Sequence, residues 1–494
     1  MSQPTPILVP GETCWRIERA ERLSVIIDAA DYFHYAKAAM SLAEQRIMLV
    51  GWDFDTRIEL EPDGETMPGP NKLGSFLSWL VKERSSLDVY LLKWNIGTWA
   101  AIGRGMMPVT LLNWMTHQRL HLLSDAAHPV GAAHHEKVIV IDDSFAFCGG
   151  IDMTVERWDT RDHPDNDVRR TDPGGEEHGP WHDATTAVQG PIARSLGELV
   201  RSRWESAGGT DLDPVHRGRE IWPQGLMPTM INVDVAIART RAAYRGQDVV
   251  REIEALYLAA IREARSSIYI ETQYLASRIV IEAIAERLQS ADCPEIVIVI
   301  PRNAAGWLEQ LAMDGARRRL LHVLWQNDDH HKVRVLYPVT EAGQPIYVHA
   351  KVLIMDDRLL RIGSSNLNNR SMGFDSECDL AVDAAVQADP ESVAASILDI
   401  RDDLLCEHLG CSRDELASAF EGAGGSLIGA VESLCRDDGR TLRAFEPEDI
   451  SDEVSVLAEN EFMDPEGVTP SGPRWVRALR ERAQRRLRKE STPQ

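Results

Sequence analysis

"HHEKVIVIDD" (134–143) sets two histidines, a lysine and an acidic pair around four consecutive β-favouring apolar residues, and "VHAKVLIMDD" (348–357) repeats that order of residue types. Side chains of an extended strand alternate between faces. His135 and Lys137 therefore share a face, and Asp142, seven residues after the histidine, takes the other. The same parity relates His349 and Lys351 to Asp356, so each aspartate is expected to fix a strand end. Six residues separate each aspartate from a small-residue turn, Gly149 and Gly150 in one copy, Gly363 and Ser364 in the other. Asp152 and Asn366 follow on what would be the returning strand.

The repetition extends outward from the two motifs. "YFHYAKAAMSLAEQRIMLVGWDFD" and "FLSWLVKERSSLDVYLLKWN" each read as a helix leading into a strand, as do "EALYLAAIREARSSIYIETQYL" and "IEAIAERLQSADCPEIVIVIPRN" in the second half. Their helical pieces carry apolar residues at three- and four-residue spacing, and their strands are short β-branched runs. Helices alternating with such runs predict an α/β protein with covered sheets. With 494 residues and 214 of them between His135 and His349, the expected fold is two pseudo-symmetric α/β/α sandwich halves with mixed sheets, sharing one active site at their interface. The expected boundaries are a first half over 1–210, a linker over 211–227 where Gly, Pro and charged residues replace periodic pattern, a second half over 228–410, and a C-terminal extension over 411–494. In that extension Trp475, Leu479, Ala483 and Leu487 recur every four residues among basic side chains, which predicts a basic amphipathic helix over 474–489.

Composition narrows the partners. A formal charge of -24 disfavours nucleic acid, because long-range attraction to phosphates needs the opposite sign. Seven scattered cysteines with no CxxC pair predict neither structural zinc nor a disulfide framework, and suit a reducing compartment. No 18-residue apolar run and no signal-peptide pattern are visible, so a cytoplasmic or peripheral-membrane location is expected, with signal-independent secretion left open. No carboxylate cluster or His/Cys set with metal-ligand spacing lies near either motif. The expected reaction uses no metal and no cofactor.

Two histidines, two lysines and several neutral donors brought face to face suit a phosphodiester: the cations and donors neutralise its oxygens while one imidazole attacks phosphorus and the other protonates the leaving alcohol. Gly150 permits close backbone approach, while Ser364 and Asn366 donate to an anionic oxygen. The bland reading, a buried strand with charged ends, fits one copy alone far better than two copies with identical offsets.

These residues resemble the duplicated HKD motifs of the phospholipase D superfamily, over about residues 15 to 405. "AHHEKVIVIDDSFAFCGGIDMTVERWDT" (133–160), "GPWHDATTAVQGPIARSLGELVRSRW" (179–204), "IYIETQYL" (268–275) and "YVHAKVLIMDDRLLRIGSSNLNNRSM" (347–372) are most similar to the eukaryotic-type phosphatidylcholine-hydrolysing subgroup, in a short form without PX or PH domains. The resemblance implies a catalytic set of His135, Lys137, Asp142, His349, Lys351 and Asp356, a phosphate site of Gly150, Ser364 and Asn366, and histidine-orienting carboxylates at Asp183 and Glu377. It implies attack by His135 and protonation of the head-group alcohol by His349, an order on which the sequence itself is symmetric. The implied partners are a phospholipid membrane surface and a water or alcohol acceptor, with the chain a pseudo-dimer that acts as a monomer. A cardiolipin synthase-type phosphatidyltransferase, a nuclease and a non-enzymatic lipid-binding scaffold stand as alternatives. Thr272 and Tyr274 depart from the subgroup's usual residues.

Overall fold

The computed structural model describes residues 5–94, 118–216, 220–303, 317 and 319–445. The basic segment 474–489 lies outside them. Eighteen strands are described. Those of the first half are β1 (Arg16–Ile27), β2 (Arg46–Gly51), β3 (Asp88–Trp94), β4 (Leu120–Asp125), β5 (Val138–Ile141), β6 (Phe145–Gly149), β7 (Trp181–His182) and β8 (Ala184–Gln189). The second half contributes β9 (Met230–Arg241), β10 (Val250–Arg251), β11 (Ser267–Glu271), β12 (Glu295–Val299), β13 (Val333–Val339), β14 (Tyr347–Val348), β15 (Val352–Met355), β16 (Leu359–Gly363) and β17 (Glu377–Asp383), and the stretch after residue 411 adds β18 (Thr441–Ala444).

Sixteen of these strands form one sheet in the order β18-β13-β12-β11-β15-β16-β17-β9-β1-β8-β6-β5-β2-β3-β4, with β10 beside β9. Outward from the central β1·β9 pair, one side runs β8-β6-β5-β2-β3-β4 and the other β17-β16-β15-β11-β12-β13. On each side the first four steps are antiparallel and the last two parallel. The mixed α/β architecture is the expected one, but the sheets merge into a continuous surface because β1 and β9 pair antiparallel from Arg16↔Ile237 to Leu23↔Met230. Ion pairs hold the charged side chains of this seam, with Arg19 at 3.1 Å from Asp234 and Arg16 at 2.9 Å from Glu198.

The apolar runs of the two motifs divide their side chains between two layers. Val138 and Val140 join the cluster under the helices Pro191–Ser206 and Pro390–Leu409, together with Val352 and Ile354 of the second copy. Ile139 and Ile141 turn the other way, onto Tyr32, Phe33 and Phe76 of the helices Ala29–Met40 and Leu73–Glu83. Leu353 and Met355 do the same against Leu256, Tyr257 and Ile284 of the helices Glu252–Glu263 and Arg278–Leu288. Each such buried side chain contributes about 1.5–3 kcal/mol relative to exposure. Strands buried on both faces explain why the runs are continuously apolar rather than alternating. Past residue 411, a helix opened by a Ser412 capping box and the helix Leu427–Leu434 lead to β18, which extends the sheet beside β13.

Candidate active site

Two short parallel contacts between the halves bring the site together. His134 bridges Ser376, and β14 pairs with β7 so that Val348 lies beside His182. In both places the next residue along is a motif histidine on one chain segment and a carboxylate on the other. The His135 amide donates to the Ser376 carbonyl at 2.9 Å, and the His349 amide to the His182 carbonyl at 2.7 Å. The side chains complete the exchange. His135 Nδ1 donates to the Glu377 carboxylate at 3.0 and 3.1 Å, and His349 Nδ1 to Asp183 Oδ2 at 2.6 Å. A carboxylate on Nδ1 fixes the tautomer and leaves Nε2 for chemistry. Glu377 is held in turn by the hydroxyls of Ser364 and Ser371, at 2.5 and 2.6 Å.

The cations are less symmetric. Lys137 Nζ donates to its own motif's His135 carbonyl at 2.9 Å and lies 3.1 Å from Asp152 Oδ2. Lys351 Nζ donates to the His349 carbonyl and has Gln273 Oε1 at 3.5 Å, an oxygen that also accepts from Asn366 Nδ2 at 3.5 Å. Gly150 has a steric reason to be glycine: a Cβ there would lie 2.2 Å from Asp183 Oδ1.

Burial and positive neighbours set the protonation states. The His135 imidazole is pushed down to about 3 by burial, then by Lys137 and Lys351. His349 is held well below its usual value by burial, then by Lys351 and Arg157. Each imidazole thus feels both lysines, so the two copies form one electrostatic unit. Burial pushes Glu377 up to about 8 against the pull of its two serines, and Asp183 up to about 6 against Lys351. Burial also pushes the Lys351 ammonium down to about 7, opposed by Asp183 and reinforced by Lys137. An arriving phosphate brings negative charge to both lysines and relieves this suppression.

Asp142 and Asp356, included with the catalytic motifs, stand away from this centre. Asp142 accepts from the amides of Glu44, Gln45 and Arg46 at 2.7, 2.9 and 2.6 Å, and Asp356 from those of Arg265, Ser266 and Ser267 at 3.0, 2.8 and 2.8 Å. They tie each motif strand to the start of its neighbour and touch no reacting group. His134 points to the opposite face, where Nδ1 meets Ser376 Oγ at 2.8 Å and Nε2 lies 3.2 Å from Asp125. A cavity of about 290 Å³ on that face is lined by His134, Glu136, Arg203, Arg239 and Arg241, not by the motif imidazoles.

Three residues near the centre were not singled out by sequence: Gln273, Ser371 and Arg157. Gln273 sits between the Thr272 and Tyr274 that drew attention in "ETQYL", and its amide bridges Lys351, Asn366 and the Tyr347 hydroxyl. The Arg157 guanidinium lies 4.4 Å over the Trp181 ring, which stacks on Tyr347 at 4.6 Å and leans on His349 at 5.2 Å. All three lie within stretches that carry the family resemblance, Arg157 in 133–160, Gln273 in 268–275 and Ser371 in 347–372, without a role assigned to them.

Residues 257–394 match the family model described as cardiolipin synthase, PLD-like domain. The chain is 22% identical to Phospholipase D A of Dictyostelium discoideum over 440 residues, covering 74% of this chain and 33% of that one. It is 23% identical to Phospholipase D alpha 1 of Cynara cardunculus over 485 residues, covering 70% of this chain and 59% of that one. The matches thus span between a third and three fifths of these relatives. In fold it is similar to the crystal structure of phosphatidylserine synthase from Haemophilus influenzae Rd KW20, with a TM-score of 0.54 at 14% identity, over 78% of this chain and 86% of that one. Residues 257–394 are thus similar to a PLD-like domain, and the chain is similar at 22–23% identity to proteins named phospholipase D.

Proposed function

We propose that the protein is a phosphatidyl-transferring phosphodiesterase of the phospholipase D type, which cleaves the head-group ester of a glycerophospholipid at a membrane surface. One observation carries the reading: two imidazoles, each tethered through Nδ1 to a carboxylate of the other half, with both lysines acting on each of them. In the proposed first step the negative charge of the bound phosphate restores the basicity of His349, which enters as an imidazolium with protons on Nδ1 and Nε2. His135 Nε2 attacks phosphorus, forming an N–P bond as the P–O bond to the head group breaks, and His349 gives its Nε2 proton to the departing alkoxide. In the second step His349 takes a proton from water or another alcohol, whose oxygen bonds phosphorus as the N–P bond breaks. Phosphatidic acid or a phosphatidyl-alcohol leaves.

Exposure supports the order of roles. The His135 side chain is 16% exposed and that of His349 5%, which gives the proposed nucleophile the more open approach. Lys137, Lys351, Ser364 and Asn366 are proposed to hold the phosphate oxygens. The histidine itself is the nucleophile, so the proposed chemistry calls for no cofactor. No described helix is long and apolar enough to cross a membrane, and the lipid is proposed to be met at a surface. The basic segment 474–489 is one candidate contact, since each cation near an anionic bilayer contributes about 1 kcal/mol.

A second reading, a phosphatidyltransferase with an alcohol acceptor, is supported by the family description of residues 257–394. It shares the covalent intermediate and differs in what resolves it. The test is incubation with mixed phospholipid vesicles and a primary alcohol, with glycerol and phosphatidylglycerol in parallel, and products identified by mass. Phosphatidic acid and phosphatidyl-alcohol, absent with His135→Ala, are expected. Products formed only with a lipid or polyol acceptor would favour the transferase, and no lipid turnover would count against both.

A further inference from the structure

Behind His349 lies a second cluster that the proposed chemistry does not use. The side chains of Asp28, His163, His182 and Glu407 are buried, and their ligand-type atoms all lie within 4.8 Å of one another. His163 Nε2 is 3.5 Å from Asp28 Oδ2 and 3.4 Å from Glu407 Oε1, while His182 Nδ1 is 3.3 Å from Asp28 Oδ1 and 2.6 Å from Glu407 Oε1. Three of these four separations are long for good hydrogen bonds. They match the edge of a tetrahedron, about 3.4 Å when ligands stand about 2.1 Å from its centre.

The outward nitrogens supply the stronger argument. His163 Nδ1 meets Asp159 Oδ2 at 2.9 Å, and that carboxylate is itself held by the Trp181 amide and Arg170. His182 Nε2 meets Glu271 Oε2 at 2.9 Å, and Glu271 accepts from the Tyr269 hydroxyl at 2.5 Å and faces His408 Nε2 at 2.8 Å. Both imidazoles therefore have one nitrogen on a secured carboxylate and the other turned inward, the arrangement by which proteins orient metal-binding histidines. Asp28 Oδ2, aimed into the same space, is buried without a hydrogen-bond partner.

We propose that Asp28, His163, His182 and Glu407 bind one divalent transition-metal ion of the zinc class, as a structural site. Three ligands come from the first half and Glu407 from the second, so the ion staples the halves together. Two backbone hydrogen bonds join it to the proposed reacting centre: Asp28 Oδ1 accepts from the Asp183 amide at 3.0 Å, and the His182 carbonyl from that of His349. The four positions are scattered along the chain, which hides them from any spacing rule. This inference does not depend on the proposed function.

The test is the metal content of the native full-length chain, by plasma mass spectrometry and native mass spectrometry, with zinc as the added probe. About one zinc per chain is expected, together with a melting temperature that falls on treatment with a strong zinc chelator and recovers with Zn²⁺ but not Mg²⁺. Asp28→Asn and His163→Gln should abolish stoichiometric binding, and Glu271→Gln should weaken it by about 10- to 100-fold. If those variants do not fold, X-ray absorption of the zinc-loaded wild type decides, two imidazole nitrogens and carboxylate oxygens being expected. A native chain that holds no metal and whose melting is unmoved by chelator and by Zn²⁺ would overturn the site in favour of a network of protonated histidines. Zinc retained in His163→Gln would overturn the ligand assignment.

Discussion

In the first motif Lys137 lies 3.1 Å from the Asp152 carboxylate; in the second, Asn366 stands at the matching position and Lys351 faces the amide oxygen of Gln273 at 3.5 Å. The first copy has Gly150 tight against Asp183, whereas the second has Ser364 donating to Glu377. Backbone geometry is duplicated, and charge is not. The difference teaches that a two-fold scaffold supplies placement while unequal neighbours divide the labour: Lys137 is paired with a carboxylate, and Lys351 is buried facing a neutral amide.

The largest expected effects test that division. His135→Ala and His349→Ala should each lower kcat/KM on vesicles by on the order of 10²–10⁴-fold or more. A substrate with an activated phenol leaving group, which needs no proton from His349, should recover much of the rate in His349→Ala and none in His135→Ala. Equal recovery would mean that the copies are interchangeable. Next comes an attempt to make the copies alike. Gly150→Ser places a side chain on Asp183 Oδ1 and should displace the partner of His349, with a loss of about 10²-fold in kcat and an unchanged fold by circular dichroism.

The aspartates sharpen the comparison in stability rather than rate. Asp142→Ala strands three part-buried amides and should cost about 2–3 kcal/mol in a denaturant titration, while Asp356→Ala, whose amide contacts are mostly exposed, should cost about 1 kcal/mol. Folded protein of either variant should turn over at close to the parent rate. A rate defect without a stability defect would return these residues to the chemistry.

The smallest effect is a shift in pH dependence. With Lys351 holding the phosphate as proposed, and its folded-state value lowered to about 7, kcat/KM should fall as pH rises through about 7. Lys351→Arg keeps its charge throughout that range and should move this basic limb upward. Because His135 is pushed down to about 3, its unprotonated form is present across the whole neutral range, and no acid limb from that residue is expected near 6.5.

Much of this was legible in the chain. Period-two parity put His135 with Lys137 and against Asp142, and the alternation of helices with β-branched runs gave the α/β class. The seam was not legible, because β1 reads RIERAERLSVII and its charges mask a strand until the partners Asp234 and Glu198 are placed by the fold. The 134↔376 and 348↔182 bridges join residues more than 160 positions apart, so periodicity carries no trace of them. Gln273 and Arg157 were hidden for a related reason: each acts across a tertiary contact, on Lys351 and on Trp181.

The central claim is that His135 carries the phosphatidyl group. Rapid acid-free quenching of wild-type protein turning over a short-chain phospholipid, followed by peptide mapping, tests it directly. The account predicts a phosphatidyl adduct on the 134–143 peptide, localised to His135 and, with the activated-phenol substrate, enriched in His349→Ala. An adduct on His349, or turnover with no histidine adduct at any quench time, would contradict it.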